Sequence, residues 1–346
     1  MRRTPQPAPG RRSPARRPPG ARVAARALPR PSGIITLLTD FGLDDPYVGI
    51  VKGVILGINP RARLVDLAHA IPPQDVRRGA LALESAYRFF PLGTVHLAVV
   101  DPGVGGARRA LAVRAGGHVF VGPDNGLLGF LFDRPDTVAV ALTNPSYRRS
   151  RVSRTFHARD VFAPAAAACS LGVSLGRLGP PVRDPVRLPR PRVRRKGGRM
   201  VGEVLRADRF GNLLTNLTEV DLPGAPEACQ LRVSGMRVDG LVATYGERPI
   251  GALGALIDSS GWVEIFVRNG SAQARLRVGP GAPVSLWSRS TSSRRARTTS
   301  RGSKTAKMAK TTKTRSRRRS PRRSRPSRRP FSRTPWISSG TRTGSR

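Results

Sequence analysis

Three short strand-like runs, Ile34–Thr39, Arg63–Asp66 and Thr94–Val100, alternate with two stretches whose apolar residues recur at helical spacing. Strands that alternate with helices specify an α/β layered domain, because each helix carries the chain back across the sheet to start the next strand in the same direction. The spacing predicts a first helix with Pro46 at its first turn, running through Asn59. It predicts a second opened by Pro72-Pro73, with Val76, Ala80, Leu83 and Tyr87 on one side. Ala110–Ala115 and His118–Val121 flank Gly116-Gly117 and read as a β-hairpin. Val138–Leu142 reads as a further strand. Asp160–Leu171 reads as an Ala-rich helix, with Pro164 tolerable only near its first turn. The expected fold is an α/β domain with a mostly parallel sheet.

Charge divides the 346-residue chain. Residues 1–32 hold nine Arg and no acid, and residues 287–346 hold 21 Lys/Arg and no acid. The other 32 basic residues share residues 33–286 with all 21 acidic ones, so the core carries +11 of the formal +41. Both ends, 1–32 and 287–346, lack apolar periodicity and are expected to be disordered. The first has no apolar stretch of the secretory type, and its prolines would break the amphipathic helix of a transit peptide. Residues 33–180 form the α/β unit. A basic, Pro-rich linker spans 181–199, with eight Lys/Arg, three Pro and one acid in residues 183–199. In residues 200–286, short runs such as Gln230–Val233, Val263–Val267 and Ala274–Val278 lie between Gly turns and suggest a small all-β, barrel-like domain. No apolar run reaches the roughly 18–20 residues of a membrane-spanning helix. Two cysteines, Cys169 and Cys229, make neither a disulfide scaffold nor a four-thiolate zinc site, and a reducing, cytoplasmic setting is expected.

Asp101-Pro102-Gly103-Val104-Gly105-Gly106 follows a strand, with Asp124 about 20 residues on, as in the Gly-rich loop of a dinucleotide-binding unit. That loop works by aiming the N-terminus of the next helix at the cofactor. Here Arg109–Val121 alternates into a hairpin, so the phosphate-binding mechanism is absent.

Polar clusters interrupt apolar segments at strand ends, where open α/β sheets build their sites. They are Thr39–Gly42, Asp66–His69, Asp101–Arg109, Pro123–Gly126 and Thr155–Asp160. In the β region they are Asp208–Asn212 with Thr215-Asn216, and Ser259–Trp262 with Arg268-Asn269. Each cluster taken singly reads as a turn or a helix cap. His69, with no Cys or second His at metal spacing, reads as a structural hydrogen-bonding residue, and four His in the chain argue against zinc.

Taken in order, the clusters resemble the S-adenosylmethionine hydroxide adenosyltransferases, relatives of the fluorinase and chlorinase enzymes. The matching pieces are Thr-Asp-Phe-Gly (39–42), Tyr-Val-Gly-x-x-Lys-Gly (47–53), Gly-Thr-Val-His (93–96), Val-Asp-Pro-Gly-Val-Gly (100–105), Pro-Asp-Asn-Gly (123–126), Thr-Phe-His-x-Arg-Asp (155–160) and Asp-Arg-Phe-Gly-Asn-Leu-x-Thr-Asn (208–216). The resemblance covers roughly residues 33–286 and leaves the basic ends unmatched.

It implies that water or hydroxide attacks C5′ of S-adenosylmethionine, releasing methionine and leaving adenosine, with no metal or second cofactor. The family's catalytic triad falls on Asp101, Arg108 and His157. Guanidinium does not give up its proton, so Arg108 orients the nucleophile, while either Asp101 or His157 is free to take its proton. By the same resemblance Asp40 bridges the ribose hydroxyls. Asp208 and Ser259 hold the methionine end, Asn212 lies on the adenine or the nearby chain, and Arg268 and Asn269 edge the adenine. The implied assembly is a homotrimer whose sites combine the first domain of one subunit with the β domain of its neighbour. Ser260 stands where the fluorinase has Arg. The triad His and the Asp of Val-Asp-Pro, which the halide-using relatives lack, are both present and favour water. Two alternatives remain: halide as the nucleophile, and nucleic-acid binding through the basic tail, whose Lys/Arg supply sequence-independent phosphate attraction.

Overall fold

The computed structural model describes residues 29–288. The disorder expected of the two ends falls outside that range, apart from residues 29–32 and 287–288, and the latter belong to the last strand.

The first half is a six-stranded sheet in the order β2-β1-β3-β5-β4-β6. Its strands are β1 (Ile34–Thr39), β2 (Arg63–Ala68), β3 (Val95–Val99), β4 (Ala110–Ala115), β5 (His118–Pro123) and β6 (Val138–Ala141). β1 pairs parallel with β2 and β3, and β3 with β5, while β4 pairs antiparallel with β5 and β6. The sheet is therefore mixed. The Gly116-Gly117 hairpin turns one strand, β4, against the others, and both of its neighbours become antiparallel to it.

Helices cover both faces. Alternate residues of a strand point to opposite faces, and the core divides accordingly. Leu37, Leu97 and Val99 pack with helix α1 (Tyr47–Ile58) and helix α3 (Ala163–Ser170). Leu38, Ala98 and Val100 pack with Leu83 of helix α2 (Val76–Ala86). In α1, Val48, Val51 and Ile55 are buried on one stripe. Three helix starts differ from expectation. Pro46 sits at the N-cap of α1 rather than inside it. Pro72-Pro73 lie upstream of α2, and Asp75 caps it by accepting the Arg78 N–H at 2.9 Å. The Ala-rich segment opens as a π turn, Ala158–Phe162, before α3. Pro164 has no N–H to offer the Asp160 carbonyl, and the preceding turn closes instead from Ala163 N–H to the Ala158 carbonyl.

The second half is an all-antiparallel sheet of β7 (Arg194–Lys196), β8 (Arg199–Ala207), β9 (Leu213–Thr218), β10 (Cys229–Val233), β11 (Met236–Asp239), β12 (Leu253–Ile257), β13 (Trp262–Val267) and β14 (Pro283–Ser288). Its order is β11-β10-β14-β8-β9-β13-β12, with β7 on β8. Val242 N–H, just past β11, bonds the Ala255 carbonyl in β12 at 2.9 Å, so the sheet nearly closes into a barrel around Val204, Leu231, Ile265 and Leu286. Ala274–Val278, expected as a strand, lies largely in a short helix, Ala272–Leu276, capped by Ser271. Ala, Gln, Arg and Leu are helix formers, and the Ser271 hydroxyl accepts the Ala274 N–H.

Residues 183–193 lie against the first sheet's layers. Arg109 bonds Asp184 at 2.7 Å, Val186 N–H bonds Asp124 at 2.8 Å, and Arg190 pairs with Glu84 at 3.1 Å.

A buried histidine pair lies under α2. The Thr36 hydroxyl meets His96 Nδ1 at 2.8 Å, and His96 Nε2 meets His118 Nδ1 at 3.3 Å, all inside the core. Burial, then the neighbouring His118, pushes His96 down to about 3. His118 is lowered by burial and then by Arg134. Both rings fold neutral and charge on unfolding, so stability holds above pH ~6.5, the unfolded value, and is lost as pH falls below it. His96 is expected to remove up to about 1.4 kcal/mol per pH unit in that range, and His118 acts in the same direction. Urea midpoints between pH 7 and pH 5 measure this, and His96→Gln is expected to flatten the dependence.

Candidate active site

Two parallel neighbours, β1 and β3, end side by side, and the chain leaves them through Asp40 and Asp101. Their loops, with the start of α1 and residues 155–158, enclose a cleft of about 570 Å³. Asp40, Phe41, Tyr47, Gln74, Asp101, Phe156 and His157 line it. This is the crevice at the carboxyl ends of strands where open sheets place their ligands. Phe41, Tyr47 and Phe156 form an edge-to-face trio with ring centroids 5.4–6.2 Å apart.

The Asp101–Gly106 loop turns twice, Val104 N–H bonding the Asp101 carbonyl at 3.2 Å and Gly106 N–H the Gly103 carbonyl at 3.1 Å. It then enters β4, with no helix between. Gly105 has φ +75°, and a Cβ there would lie 2.0 Å from the Arg154 carbonyl oxygen. A side chain at 105 would push the loop off the segment that leads to His157.

Arg108 folds back from this loop. Its Nε bonds both Asp101 carboxylate oxygens, at 2.9 and 3.0 Å, and its Nη2 reaches Asp101 Oδ2 as well. The same Nη2 lies 2.8 Å from His157 Nδ1. Arginine has only donors, so His157 Nδ1 accepts, and the proton of the neutral ring sits on Nε2. Burial, then Arg108, holds the His157 pKa below the usual histidine value. Phe162, in the π turn, backs the guanidinium, with its ring centroid 5.3 Å from Cζ. Asp160, fully buried, ties down the approach to His157 by accepting Ser153 N–H at 2.8 Å and Arg159 Nε at 2.7 Å.

Asp40 is held through one carboxylate oxygen. Its Oδ2 accepts the Gln74 N–H at 2.8 Å. Gln74 adopts a left-handed φ of +67°, a strained conformation for a residue with a side chain. Beneath Asp40, the Thr39 hydroxyl meets His69 Nδ1 at 2.8 Å. His69 Nε2 approaches Asp66 Oδ1 at 3.0 Å, and Lys52 reaches Asp66 Oδ2 at 2.7 Å. His69 is therefore a structural hydrogen-bonding residue. The contribution of Gln74 had no signal in the sequence, because it comes from a backbone N–H.

The β-domain candidates lie elsewhere in the chain. Asp208 accepts the Phe210 and Asn212 N–H groups at 2.9 and 2.8 Å, shaping its own turn. Ser259 lines a separate cavity with Glu84, Arg88, Arg206 and Trp262. Arg268 spends its guanidinium on the carbonyls of Gly246 (2.9 Å) and Arg248 (2.6 Å), and Asn269 is left-handed at φ +54°. None of Asp208, Asn212, Ser259, Arg268 and Asn269 is among the residues lining the Asp40/Asp101 cleft.

Residues 35–179 match the SAM hydroxide adenosyltransferase N-terminal domain, and residues 202–285 match its C-terminal domain. The chain belongs to the SAM hydroxide adenosyltransferase family. It is 45% identical over 264 residues to a protein of Thermus thermophilus named (R)-S-adenosyl-L-methionine hydrolase, covering 73% of this chain and 98% of the relative. A protein of the same name from Salinispora arenicola is 43% identical over 254 residues, 71% of this chain and 95% of the relative. A fluorinase of an Actinoplanes species is further off, at 29% over 237 residues, 60% of this chain and 79% of the relative. The crystal structure of an uncharacterized conserved protein from Thermotoga maritima superposes with a TM-score of 0.70 at 32% identity, covering 73% of this chain and 99% of that one. Among the described residues, no helix is long and apolar enough to cross a membrane, and no cluster of three or more His, Cys, Asp or Glu has the arrangement of a metal site. Cys169 and Cys229 are both free and buried.

Proposed function

We propose that this chain hydrolyses S-adenosylmethionine to adenosine and L-methionine, by attack of water or hydroxide on C5′. The observation that carries the reading is the Asp101–Arg108–His157 cluster on the wall of a cleft that also holds Asp40. In the reaction a C5′–O bond forms and the C5′–S bond breaks. The sulfonium sulfur keeps the electron pair as a neutral thioether, and the water proton leaves to a base. With its Nδ1 lone pair taken by Arg108 and its Nε2 protonated, His157 has no free lone pair in this arrangement. The carboxylate of Asp101 does, which favours Asp101 as the proton acceptor. Arg108 then holds Asp101 and His157 in register. Asp40, with one oxygen fixed by Gln74, presents the other to the ribose hydroxyls. The aromatic trio dries the cleft, and removing water from around a sulfonium raises the cationic ground state relative to the charge-neutralising transition state.

Asp208, Asn212, Ser259, Arg268 and Asn269 complete the site from a neighbouring subunit of a homotrimer. Their absence from the cleft of a single chain supports this, as do the exposed apolar side chains on both halves: Leu43, Tyr47 and Ile50 by the cleft, and Phe210 and Ile250 on the β domain. The reaction needs no metal and no second cofactor, and the setting is cytoplasmic. Incubated with S-adenosylmethionine, the protein is expected to release adenosine and methionine, undiminished by chelator. A 5′-halo-adenosine appearing with chloride identifies the halide reading, and S-adenosylhomocysteine with a methylated acceptor overturns the proposal.

The 21 Lys/Arg of residues 287–346, with no acid among them, support a separate, sequence-independent attraction to nucleic acid. Removing residues 289–346, beyond the last strand, is expected to abolish salt-sensitive DNA and RNA retention while leaving turnover nearly unchanged. Retention that survives the truncation removes the tail from this role.

A further inference from the structure

A register change sits beneath the Asp40 turn. β1 pairs with β2 from Ile34↔Arg63 to Leu37↔Asp66, and the next pair is Leu38↔Ala68. Leu67 is therefore the extra residue of a bulge, a device that interrupts the ladder and re-aims the side chains that follow. In unbroken register Thr39 would stand opposite Ala68. The bulge moves His69 up beside it, and the buried His69 ring meets the Thr39 hydroxyl, Nδ1 to Oγ1, at 2.8 Å. The same residue binds the far end of the turn, its carbonyl accepting the Gly42 N–H at 2.8 Å. His69 thus holds both ends of the segment from which Asp40 and Phe41 reach the cleft.

Asp66 fixes the direction of the side-chain bond. A carboxylate only accepts, and its Oδ1 lies 3.0 Å from His69 Nε2. The contact is too bent for a hydrogen bond, yet it places the proton of the neutral ring on Nε2. Nδ1 then accepts from the Thr39 hydroxyl, whose oxygen is left to accept the Phe41 N–H at 3.3 Å. Lys52, on α1, holds the other Asp66 oxygen at 2.7 Å, but the two side chains are 31% and 41% exposed, and such a pair contributes little. The weight falls on the buried Thr39–His69 bond.

We infer that His69 is a positioning residue for the proposed hydrolysis: through Thr39 it sets where the Asp40 carboxylate meets the ribose hydroxyls. The inference rests on that reading for the role of Asp40. His69 is not among the residues lining the cleft and acts only through the turn. Phe41 is pinned separately, by Tyr47 and Phe156 at 6.0 and 6.2 Å between ring centroids. Gln74 fixes one Asp40 oxygen. Slack in the turn therefore falls on the other oxygen, the one left for the ribose.

The test compares binding of adenosine with binding of 2′,3′-dideoxyadenosine, which lacks both ribose hydroxyls, to the full chain by equilibrium dialysis. Thr39→Val keeps the side chain's shape without the hydroxyl. It and His69→Gln are expected to bind adenosine about tenfold more weakly, the value of one hydrogen bond to a charged group, and dideoxyadenosine as before. His69→Asn is expected to recover most of the loss, since its amide oxygen stands near the Nδ1 position while that of glutamine reaches further. In an Asp40→Ala background His69→Gln is expected to add nothing, a pattern that general damage to the fold does not reproduce. Equal losses for both nucleosides overturn the inference. So does unchanged adenosine affinity in Thr39→Val and His69→Gln, a His69→Asn no better than His69→Gln, or a further loss on top of Asp40→Ala. Wild-type protein that does not distinguish the two nucleosides removes the grip of Asp40 on the ribose, and the inference with it. The expected nucleoside pattern without turnover of S-adenosylmethionine overturns the hydrolase reading and leaves the positioning role standing.

Discussion

Asp101→Asn is expected to lower kcat by about 10²–10⁴-fold, the range for losing a positioned general base, with KM little changed. Asparagine keeps the size of the side chain and one acceptor oxygen for Arg108, so the loop between Gly103 and Arg108 keeps its shape. What is lost is the negative charge that balances the guanidinium and, in the proposed mechanism, takes the water proton. Asp40→Ala is the contrasting variant. In the proposed role Asp40 grips the ribose in ground and transition state alike, and a uniform binding loss raises KM more than it lowers kcat. Steady-state kinetics with chromatography of the released nucleoside separates the two patterns. The wild-type profile is expected to lose activity on the acid side only below pH 6.5, because burial and Arg108 hold the His157 pKa under that ordinary value. The sign follows from the hydrogen bond: protonating Nδ1 breaks its contact with Arg108 and sets two cations together. If Asp101→Asn keeps kcat within a few-fold of wild type, the proton goes to His157 after all, and His157→Ala should then erase the acid limb.

The two strand ends that build the cleft were legible because an apolar run that stops at an Asp is a local signal, and both Thr39-Asp40 and Val100-Asp101 carry it. The hairpin was legible from Gly116-Gly117 for the same reason. Strand direction was not. Periodicity tells which residues alternate, but β4 runs against its neighbours because a two-residue turn leaves it no room to cross over, and the sheet is mixed. Short elements were misread where a cap outweighed the run. Ala274–Val278 alternates like a strand, yet Ser271 accepts an N–H and helix-forming residues follow. Asp75, rather than the two prolines before it, starts α2. Within the site, Asp101 and Arg108 are seven residues apart, and Arg108 and His157 are 49 apart. Their association came from the family resemblance, not from spacing. Gln74 and Arg148 were not singled out. Gln74 works through a backbone N–H in a strained conformation, and the Arg148 side chain has no carboxylate partner among the described residues.

Mixing two inactive variants is expected to restore activity. Asp101→Asn removes the triad carboxylate from the first domain, and Asp208→Ala removes a group assigned to the methionine end from the β domain. If each site takes its two halves from adjacent subunits, neither pure trimer has one intact site. A trimer assembled from both variants does, wherever an unaltered first domain meets an unaltered β domain. Random co-assembly of equal amounts makes about one site in four intact, since each half is unaltered half of the time in a cyclic homo-oligomer. Co-refolding the two variants, rather than combining folded trimers, is the measurement, with each variant refolded alone as the control. The physical basis is the exposed apolar surface at Leu43, Tyr47 and Ile50 beside a cleft that one chain leaves without Asp208 or Ser259 on its walls. Burying such surface against Phe210 and Ile250 of a neighbour would drive assembly and complete the site in one step. Co-refolded protein that stays inactive, while wild type refolded in the same way recovers, places both halves of each site within a single subunit.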